Sequence, residues 1–248
     1  MQEIEFKFQV PVKKRKALQK AFTLLKAEPI HLAAQYFDTA DQTLAKHCIA
    51  IRRRQENGEW KQTFKAVNTA KALSRFELEF DIAPPETTTL DLDNYKKDYS
   101  AIYKKLKRAL GLPLPTLELL FETNIQRLRI LQDVGNSTVE IALDIGKIFE
   151  AQNNVDIFEI EFELKQGSIE DLIAFIRPWV QKYQLSLDTH SKSDYGLLAV
   201  RQQSSFSAQY QTPLVLNRSS SEVEALQSIV ANCLQHLLPN ASSIARQQ

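Results

Sequence analysis

The chain begins with a strict alternation of charged and apolar residues, Glu-Ile-Glu-Phe-Lys-Phe over positions 3–8. Successive side chains of a β-strand point to opposite faces, so the alternation predicts a strand with one apolar face and one charged face. The pattern recurs in six later segments, 51–54, 60–65, 75–81, 127–129, 139–144 and 158–164. A half-exposed sheet normally mixes uncharged polar residues into its wet face, whereas here that face is almost entirely ionised. We therefore expect the charged faces to surround one shared interior.

Strands of this kind cannot pack as an ordinary sandwich, because isolated charges are costly to bury in an apolar core. We expect a closed antiparallel barrel of about eight strands, with charged side chains inside and apolar side chains outside. Helices are predicted over 12–26, 95–110 and 169–183 from apolar residues at helical spacing, and they would cover the apolar exterior. The expected fold class is α+β.

Composition narrows the class of protein. The 248 residues are 44% hydrophobic and 25% charged, and the net charge of +1 gives no reason to expect nucleic acid or a membrane surface as a partner. No apolar run reaches the ~20 residues of a membrane span, and the charged first strand is unlike a secretory signal, so a cytoplasmic location is expected. Cys48 and Cys233 are predicted to be free thiols. The sequence has no Gly-rich phosphate loop, so side chains would have to bind any phosphate.

Two sets of charged residues are expected to face the interior. The cations are Lys7, Arg52, Arg54, Lys61, Lys65, Arg75, Arg127, Arg129 and Lys192. The acids are Glu3, Glu5, Glu77, Glu79, Glu140, Asp144, Glu159, Glu161 and Glu163. Arginine and lysine match phosphate oxygens, and clustered carboxylates without His or Cys suit hard cations such as Mg²⁺ or Mn²⁺. The pattern predicts a site for a phosphate-rich anion together with divalent metal ions.

The same residues resemble a known family. Glu3, Glu5 and Lys7 are similar to the E-x-E-x-K signature of the CYTH superfamily, the triphosphate tunnel metalloenzymes. The later segments follow in the order of that family: Arg52 with Arg54, Lys65, Arg75 with Glu77, Arg127 with Arg129, Glu140 with Asp144, Glu159 to Glu163, and Lys192. The resemblance covers residues 1–200. It implies an inorganic triphosphatase that hydrolyses tripolyphosphate to pyrophosphate and phosphate in a tunnel.

The resemblance also implies roles for individual residues. The triphosphate would be bound by Lys7, Arg52, Arg54, Lys65, Arg75, Arg127, Arg129 and Lys192. One or two ions of Mg²⁺ or Mn²⁺ would be held by Glu3, Glu5, Asp144, Glu159, Glu161 and Glu163. The catalytic residues would be Glu5, Lys7, Arg54, Lys65 and Lys192, with a metal-activated water as the nucleophile and no covalent intermediate. Glu77 and Glu140 would orient the arginines.

The C-terminal part of the chain has a different composition. Residues 202–220 are rich in Gln and Ser and are predicted to be a linker. Apolar residues at helical spacing predict a helix over 221–238, ended by Pro239. This region resembles the beginning of a CHAD domain, a helical polyphosphate-binding module. The expected organisation is a CYTH domain over 1–201, a linker over 202–220 and the start of an incomplete CHAD-like region over 221–248.

Three alternatives remain open at this point. The same cavity could hydrolyse an organic triphosphate such as thiamine triphosphate or a nucleotide, or cyclise ATP, with Tyr36, Trp60 or Tyr195 contacting the organic group. A non-catalytic polyphosphate-binding module is a second alternative, although a pure anion binder gains nothing from interior acids. The third is a β protein whose charged faces are solvated and whose partner is unrelated.

Overall fold

The computed structural model describes residues 2–67, 75–90, 92, 95–96, 99–151, 153–216 and 218–246, and for residues 2, 3, 67 and 75 it describes the backbone alone. The helices are α1 (Val12–Leu24), α2 (Thr43–Lys46), α3 (Ser100–Leu110), α4 (Ile169–Tyr183), α5 (Lys192–Val200) and α6 (Glu222–Arg246). The strands are β1 (Gln2–Glu3), β2 (Glu5–Gln9), β3 (Glu28–Asp38), β4 (Ile49–Glu56), β5 (Glu59–Val67), β6 (Arg75–Ile82), β7 (Thr89–Leu90), β8 (Leu117–Val134), β9 (Ser137–Glu150), β10 (Asn153–Gln166) and β11 (Ser186–Leu187). The α+β class is confirmed.

The described strands form one antiparallel sheet. Its hydrogen-bonded order is β1-β6-β5-β4-β3-β8-β9-β10-β2-β11, and β7 pairs with β8 outside this path. Within the described residues the path does not close through hydrogen bonds, so the expected closed barrel is not confirmed. Strands β1 and β2 lie near opposite ends of the path although Ile4 alone separates them in sequence, so the sheet curls until its two ends are adjacent.

Helices cover the apolar outer face of the sheet, as the alternation predicts. On one side the strand residues Phe8, Val139, Ile141, Leu143, Ile160 and Phe162 pack with Leu18 and Phe22 of α1 and with Leu172 and Ile176 of α4. On the other side Ile51 and Phe64 pack with Ile102 and Leu106 of α3. Burying such side chains contributes roughly 1.5–3 kcal/mol each, which holds the three helices against the sheet.

The inner face is not entirely charged, contrary to expectation. An apolar cluster on that face consists of Ile30, Leu32, Ala34, Tyr36, Phe121, Ile125, Ile148 and Ile157. Tyr195 of α5 packs on this cluster. At Gly196 an added Cβ would lie 2.2 Å from the ring of Phe121, so any other residue would require the ring or the helix to shift. Helix α5 thus fills part of the interior, because the inner face there has apolar residues to cover.

Strands β8, β9 and β10 extend well beyond the alternating segments 127–129, 139–144 and 158–164 that they contain. The β8–β9 register runs without interruption from Glu122 opposite Phe149 to Val134 opposite Ser137. Gly146 lies inside this ladder, where a Cβ would come within 2.1 Å of the Asn124 carbonyl oxygen. Cross-strand pairing therefore extends these strands past the alternating segments.

One helix end is stabilised by a side chain outside the helix, and another differs from prediction. The Asp38 carboxylate accepts the backbone N–H groups of Leu44 at 2.8 Å and Ala45 at 2.9 Å in α2. Pro239 was expected to end the last helix, yet α6 continues to Arg246. Cys48 and Cys233 are free and exposed, as expected. Over the described residues, no helix is long and apolar enough to cross a bilayer.

Candidate active site

The inner face of the sheet surrounds a cavity of about 840 Å³. Its described lining contains nine cationic side chains: Lys7, Arg52, Arg54, Lys61, Lys65, Arg127, Arg129, Lys165 and Lys192. It also contains nine acidic side chains: Glu5, Glu56, Glu77, Glu79, Glu140, Glu161, Glu163, Asp188 and Asp194. The predicted convergence of charged strand faces on one interior space is therefore observed.

Most of the predicted site residues meet in this cavity. Its lining includes Glu5, Lys7, Arg52, Arg54, Lys65, Arg127, Arg129, Glu161, Glu163 and Lys192. Asp144 and Glu159 are buried beside it. Glu3 and Arg75 pair with each other through their backbones in β1 and β6, but their side chains lie outside the described part of the structure.

Strand register brings three carboxylates together. Arg127 of β8 lies opposite Asp144 of β9, and Asp144 lies opposite Glu159 of β10. Glu161 follows two residues later on the same face of β10. Oxygen atoms of Asp144, Glu159 and Glu161 all lie within 4.8 Å of one another. These three residues, the carboxylate cluster, are the hard oxygen donors that Mg²⁺ and Mn²⁺ prefer.

A lysine ammonium lies among the three carboxylates. Lys192 Nζ is 2.7 Å from Asp144 Oδ2 and 2.8 Å from Glu161 Oε1, and it also contacts Glu159 Oε1. Arg127 forms a two-pronged pair with Asp144, at 2.7 Å and 2.8 Å, and contacts Glu161 as well. The place thus already accommodates a positive charge, which shows that its donor set suits a cation.

Neighbouring charges hold two carboxylates of the cluster, Asp144 and Glu161, ionised. Burial raises the pKa of Glu161 and of Asp144, but Lys192 and Arg127 outweigh burial, so the pKa of Glu161 lies well below 4.5 and that of Asp144 lies below 3.8. Burial lowers the pKa of Lys192, but Asp144, Glu159 and Glu161 outweigh it, and this pKa lies well above 10.5. Asp144, Glu161 and Lys192 are therefore charged near neutral pH.

Lys7 connects this cluster to a residue that sequence reasoning missed. Lys7 Nζ lies 3.1 Å from Glu159 Oε2 and 3.4 Å from Asp188 Oδ2, and it donates to the backbone carbonyl of His190. Burial lowers the pKa of Lys7, but Glu159 and Asp188 raise it above its usual value. Asp188 is 4% exposed and accepts a hydrogen bond from the Tyr195 hydroxyl at 2.9 Å. The only available sequence signal for Asp188 was its position four residues before Lys192.

The opposite wall of the cavity comes from β4, β5 and β6. Arg54 Nη2 lies 3.1 Å from Glu79 Oε2 and 3.2 Å from Glu56 Oε2, and Lys65 Nζ lies 2.6 Å from Glu77 Oε2. The pKa of Arg54 is lowered, first by burial and then by repulsion from Arg52. A guanidinium whose charge is disfavoured in this way gains from a bound anion.

Two predicted residues lie towards the rim. Arg129 is paired with the exposed Glu28 at 2.7 Å. Glu163 is paired with Lys165 at 2.6 Å. Because Lys165 follows Glu163 by two positions on the same strand face, the alternation could have identified it as an interior cation.

Of the three aromatic residues considered as contacts for an organic group, Tyr36 alone is among the described lining residues. Tyr36 lines the cavity and accepts a hydrogen bond from Arg52 Nη1 at 3.3 Å. Neither Trp60 nor Tyr195 is among the described lining residues. Burial raises the pKa of Tyr36, but Arg52 and, more weakly, Lys192 lower it below 10.0 overall.

Comparison with known proteins agrees with this geometry. Residues 1–194 match the family description of the CYTH domain. The chain belongs to the CYTH domain family. A curated relative, the inorganic triphosphatase of Haemophilus influenzae, is 31% identical over 204 residues, with 80% of this chain covered. The chain spans 55% of the length of that relative.

Two solved structures share the fold of this chain. A candidate adenylate cyclase from Bacillus halodurans has a TM-score of 0.53 and 21% identity, with 78% of this chain and 96% of that chain covered. A candidate adenylyl cyclase from Hippeastrum, described as having a dominant triphosphatase activity, has a TM-score of 0.52 and 16% identity, with 81% of this chain and 96% of that chain covered. At these identities the similarity concerns the fold.

Proposed function

We propose that this CYTH domain hydrolyses inorganic tripolyphosphate to pyrophosphate and phosphate in a metal-dependent reaction inside the charged cavity. The observation that supports the proposal most is the charge of the described lining, nine cations against nine acids, beside the buried carboxylate cluster. A polyanion entering such a balanced cavity brings excess negative charge, which divalent cations held by the acids would offset. A polyanion-binding module would not need the acids. The 31% identical inorganic triphosphatase is a relative with the activity we propose.

The proposed ligands of the metal are the carboxylate cluster together with neighbouring acids. The full proposed set is Glu3, Glu5, Asp144, Glu159, Glu161 and Glu163. When bound, Mg²⁺ or Mn²⁺ would supply charge neutralisation and Lewis acidity towards water and phosphate oxygens. Lys192 would have to move from the cluster, or share it, for a metal ion to bind there.

The anion would lie between the two charged walls. The proposed contacts are Lys7, Arg52, Arg54, Lys65, Arg75, Arg127, Arg129 and Lys192. Guanidinium groups bind phosphate oxygens in pairs, so Arg52 and Arg54, two residues apart on one strand face, would hold adjacent phosphates and fix their orientation. Positioning of this kind supplies much of the rate enhancement in phosphoryl transfer. Lys192, which its raised pKa keeps protonated, would donate a hydrogen bond to the departing phosphate oxygen.

The wider architecture is also part of the proposal. The curled sheet would act as a tunnel of the triphosphate tunnel type, with the CYTH domain over 1–201 and the linker over 202–220. The region 221–248 would belong to a CHAD-like helical region. The exposed apolar side chains of α6, such as Val223 at 64% and Leu226 at 61% exposure, support a further packing partner for this helix.

A second candidate substrate is an organic triphosphate. The cavity volume of about 840 Å³ lies within the range of small-molecule sites, and Tyr36 in its lining offers an aromatic edge to a base or a thiazole ring. The cationic wall would bind the triphosphate tail in the same way for each of these substrates. Hydrolysis of thiamine triphosphate or a nucleotide, and cyclisation of ATP, are therefore competing outcomes.

Phosphate release distinguishes these functions. The chain is incubated with tripolyphosphate, ATP, thiamine triphosphate and pyrophosphate, each with Mg²⁺, Mn²⁺ or EDTA. We expect metal-dependent phosphate release that is fastest with tripolyphosphate. Faster turnover of ATP or thiamine triphosphate, or formation of cyclic AMP, would show that the preferred substrate is an organic triphosphate and not tripolyphosphate. Binding of tripolyphosphate without any release would make the domain a binding module.

A further inference from the structure

The last turns of α6 dock on the sheet although most of this helix is exposed. Ser242 is fully buried, whereas Leu237 is 57% exposed and Ile244 is 63% exposed. The Ser242 hydroxyl donates to the Leu238 carbonyl at 2.8 Å. Its backbone carbonyl accepts a hydrogen bond from the Gln9 side chain at 3.0 Å. A fully buried serine in an otherwise exposed amphipathic helix marks a specific point of attachment.

The attachment is made to the segment that leads into α5, residues 187–191. The Thr189 backbone N–H donates to the Ser242 hydroxyl oxygen at 3.0 Å, and the two hydroxyl groups are 3.3 Å apart. His190 Nε2 lies 3.2 Å from the Ser243 hydroxyl and 3.3 Å from the Pro239 carbonyl. Four contacts from three atoms of α6 therefore constrain two consecutive residues of the segment.

Arg246 adds a second anchor further along α6. Its guanidinium lies 3.9 Å from the centre of the Tyr195 ring and donates to the Asp156 carbonyl at 3.0 Å. Tyr195 belongs to α5 and donates from its hydroxyl to Asp188. The same helix end thus contacts both the 187–191 segment and α5, which carries Lys192 at its first position.

The segment held by α6 in turn places cationic residues of the cavity. The His190 carbonyl and the Asp188 carboxylate both contact Lys7 Nζ, and the Asp188 backbone N–H donates to the Lys7 carbonyl at 2.8 Å. Ser191 caps α5, and Lys192 follows it directly. Asp188, Thr189, Ser191 and Lys192 all line the cavity.

We propose that Ser242 is a positioning residue of the cavity: through Thr189 it holds the 187–191 segment, and the segment holds Lys7 and Lys192 at the anion site. The inference uses the proposed triphosphatase function for its kinetic readout, while its structural readout is independent of that function. Ser242 is not among the described lining residues of the cavity, so it acts on the cavity through the 187–191 segment that it contacts. Helix α6 is then part of the functional unit although the family match ends at residue 194.

The test compares Ser242→Ala with Ser228→Ala. Ser228 lies on the same helix and donates to the carbonyl four residues earlier at 2.8 Å, as Ser242 does, but it is exposed. For Ser242→Ala we expect KM for tripolyphosphate to rise about three- to tenfold, the effect of one lost hydrogen bond, and kcat to fall as well, because a displaced Lys192 would stabilise the departing phosphate oxygen less well. Amide exchange should accelerate in peptides covering 187–192 and stay unchanged in β4 and β5. Ser228→Ala should match the wild type in both readouts.

Several results would overturn the inference. Unchanged KM and unchanged exchange at 187–192 would show that Ser242 does not position the segment. Exchange that accelerates equally throughout the sheet would show a general stabilising role instead. If Ser242→Ala does not fold, Ser243→Ala, which removes the contact to His190, must raise KM and the local exchange in the same direction. If the wild type proves inactive, the calorimetric Kd for tripolyphosphate replaces KM as the readout. Failure of the proposed triphosphatase function is thereby distinguished from failure of the inference about Ser242.

Discussion

The ammonium of Lys192 lies 2.7 Å from Oδ2 of Asp144, whose side chain is closed to solvent. Lys192 begins α5, whereas Asp144 lies in the middle of β9. The pair therefore joins a helix inside the curled sheet to the strand that carries the carboxylate cluster. Because a buried charge without a partner is costly, placement of α5 and ionisation of the cluster depend on each other.

A double-mutant cycle measures that dependence. Asp144→Asn and Lys192→Met should each lower the free energy of unfolding by about 3–5 kcal/mol, since each leaves opposite charges buried with fewer partners. The double variant should lose clearly less than the sum of the two single losses. Urea unfolding of the four proteins gives the coupling free energy. As a control, Lys165→Met at the half-exposed rim should lower the free energy of unfolding by less than about 1 kcal/mol. Strict additivity of the Asp144 and Lys192 losses would contradict the pairing.

Adjacent arginines on β4 offer a matched test of the anion site. Arg54 lines the cavity, whereas Arg53 points to the other face, where it donates to the Thr87 carbonyl at 3.1 Å. Arg54→Ala should raise KM for tripolyphosphate about 10- to 100-fold, the range for a lost charge-assisted hydrogen bond. Arg53→Ala should leave KM unchanged. Steady-state kinetics measures both KM values, and equal effects of the two variants would show that Arg54 does not bind the anion specifically.

Metal affinity is tested on β10. Glu161→Gln should weaken Mn²⁺ binding at least about tenfold, because it removes one charged oxygen donor from the cluster. Asp156→Asn changes an acid of the same strand whose side chain is 76% exposed, and it should leave Mn²⁺ binding unaltered. Calorimetric titration with Mn²⁺ measures both without relying on turnover. If the Glu161 variant binds Mn²⁺ with wild-type affinity, the metal ligands must be other residues.

The lowered carboxylate pKa values predict a direction for acid sensitivity. A carboxylate whose pKa is lower in the folded state stabilises the fold above its unfolded pKa, and this stabilisation is lost as pH falls through the folded pKa. The unfolding free energy should therefore begin to fall below pH about 4.5, the ordinary pKa of glutamate, and continue to fall as the pH decreases further. Glu161→Gln should show a shallower fall in urea titrations across this range. An identical slope in variant and wild type would mean that Glu161 is not held ionised by its neighbours.

The sequence predicted which face of its strand each charged residue occupies, but it did not predict whether the sheet closes or where the last helix ends. The alternation placed Lys7, Arg52, Arg54 and Glu161 on the inner face, because the side-chain period of a strand is two. It did not reveal the apolar patch around Tyr36 that receives α5, since those residues read as ordinary core positions. Pro239 was a reasonable stop signal, yet the helix continues past it to the docking point at Ser242.

The sequence by itself determined which residues lie on the charged face of each strand and which on the apolar face, because that choice depends on local backbone geometry alone. It also supported membership of the CYTH family through the order of the charged segments. The tertiary structure alone decided which charges meet. Strand register and helix docking determine three sets of contacts: those of Lys192 with Asp144, Glu159 and Glu161, that of Asp188 with Lys7, and that of Ser242 with Thr189. Those contacts join residues far apart in the chain, and local spacing carries no information about their distances.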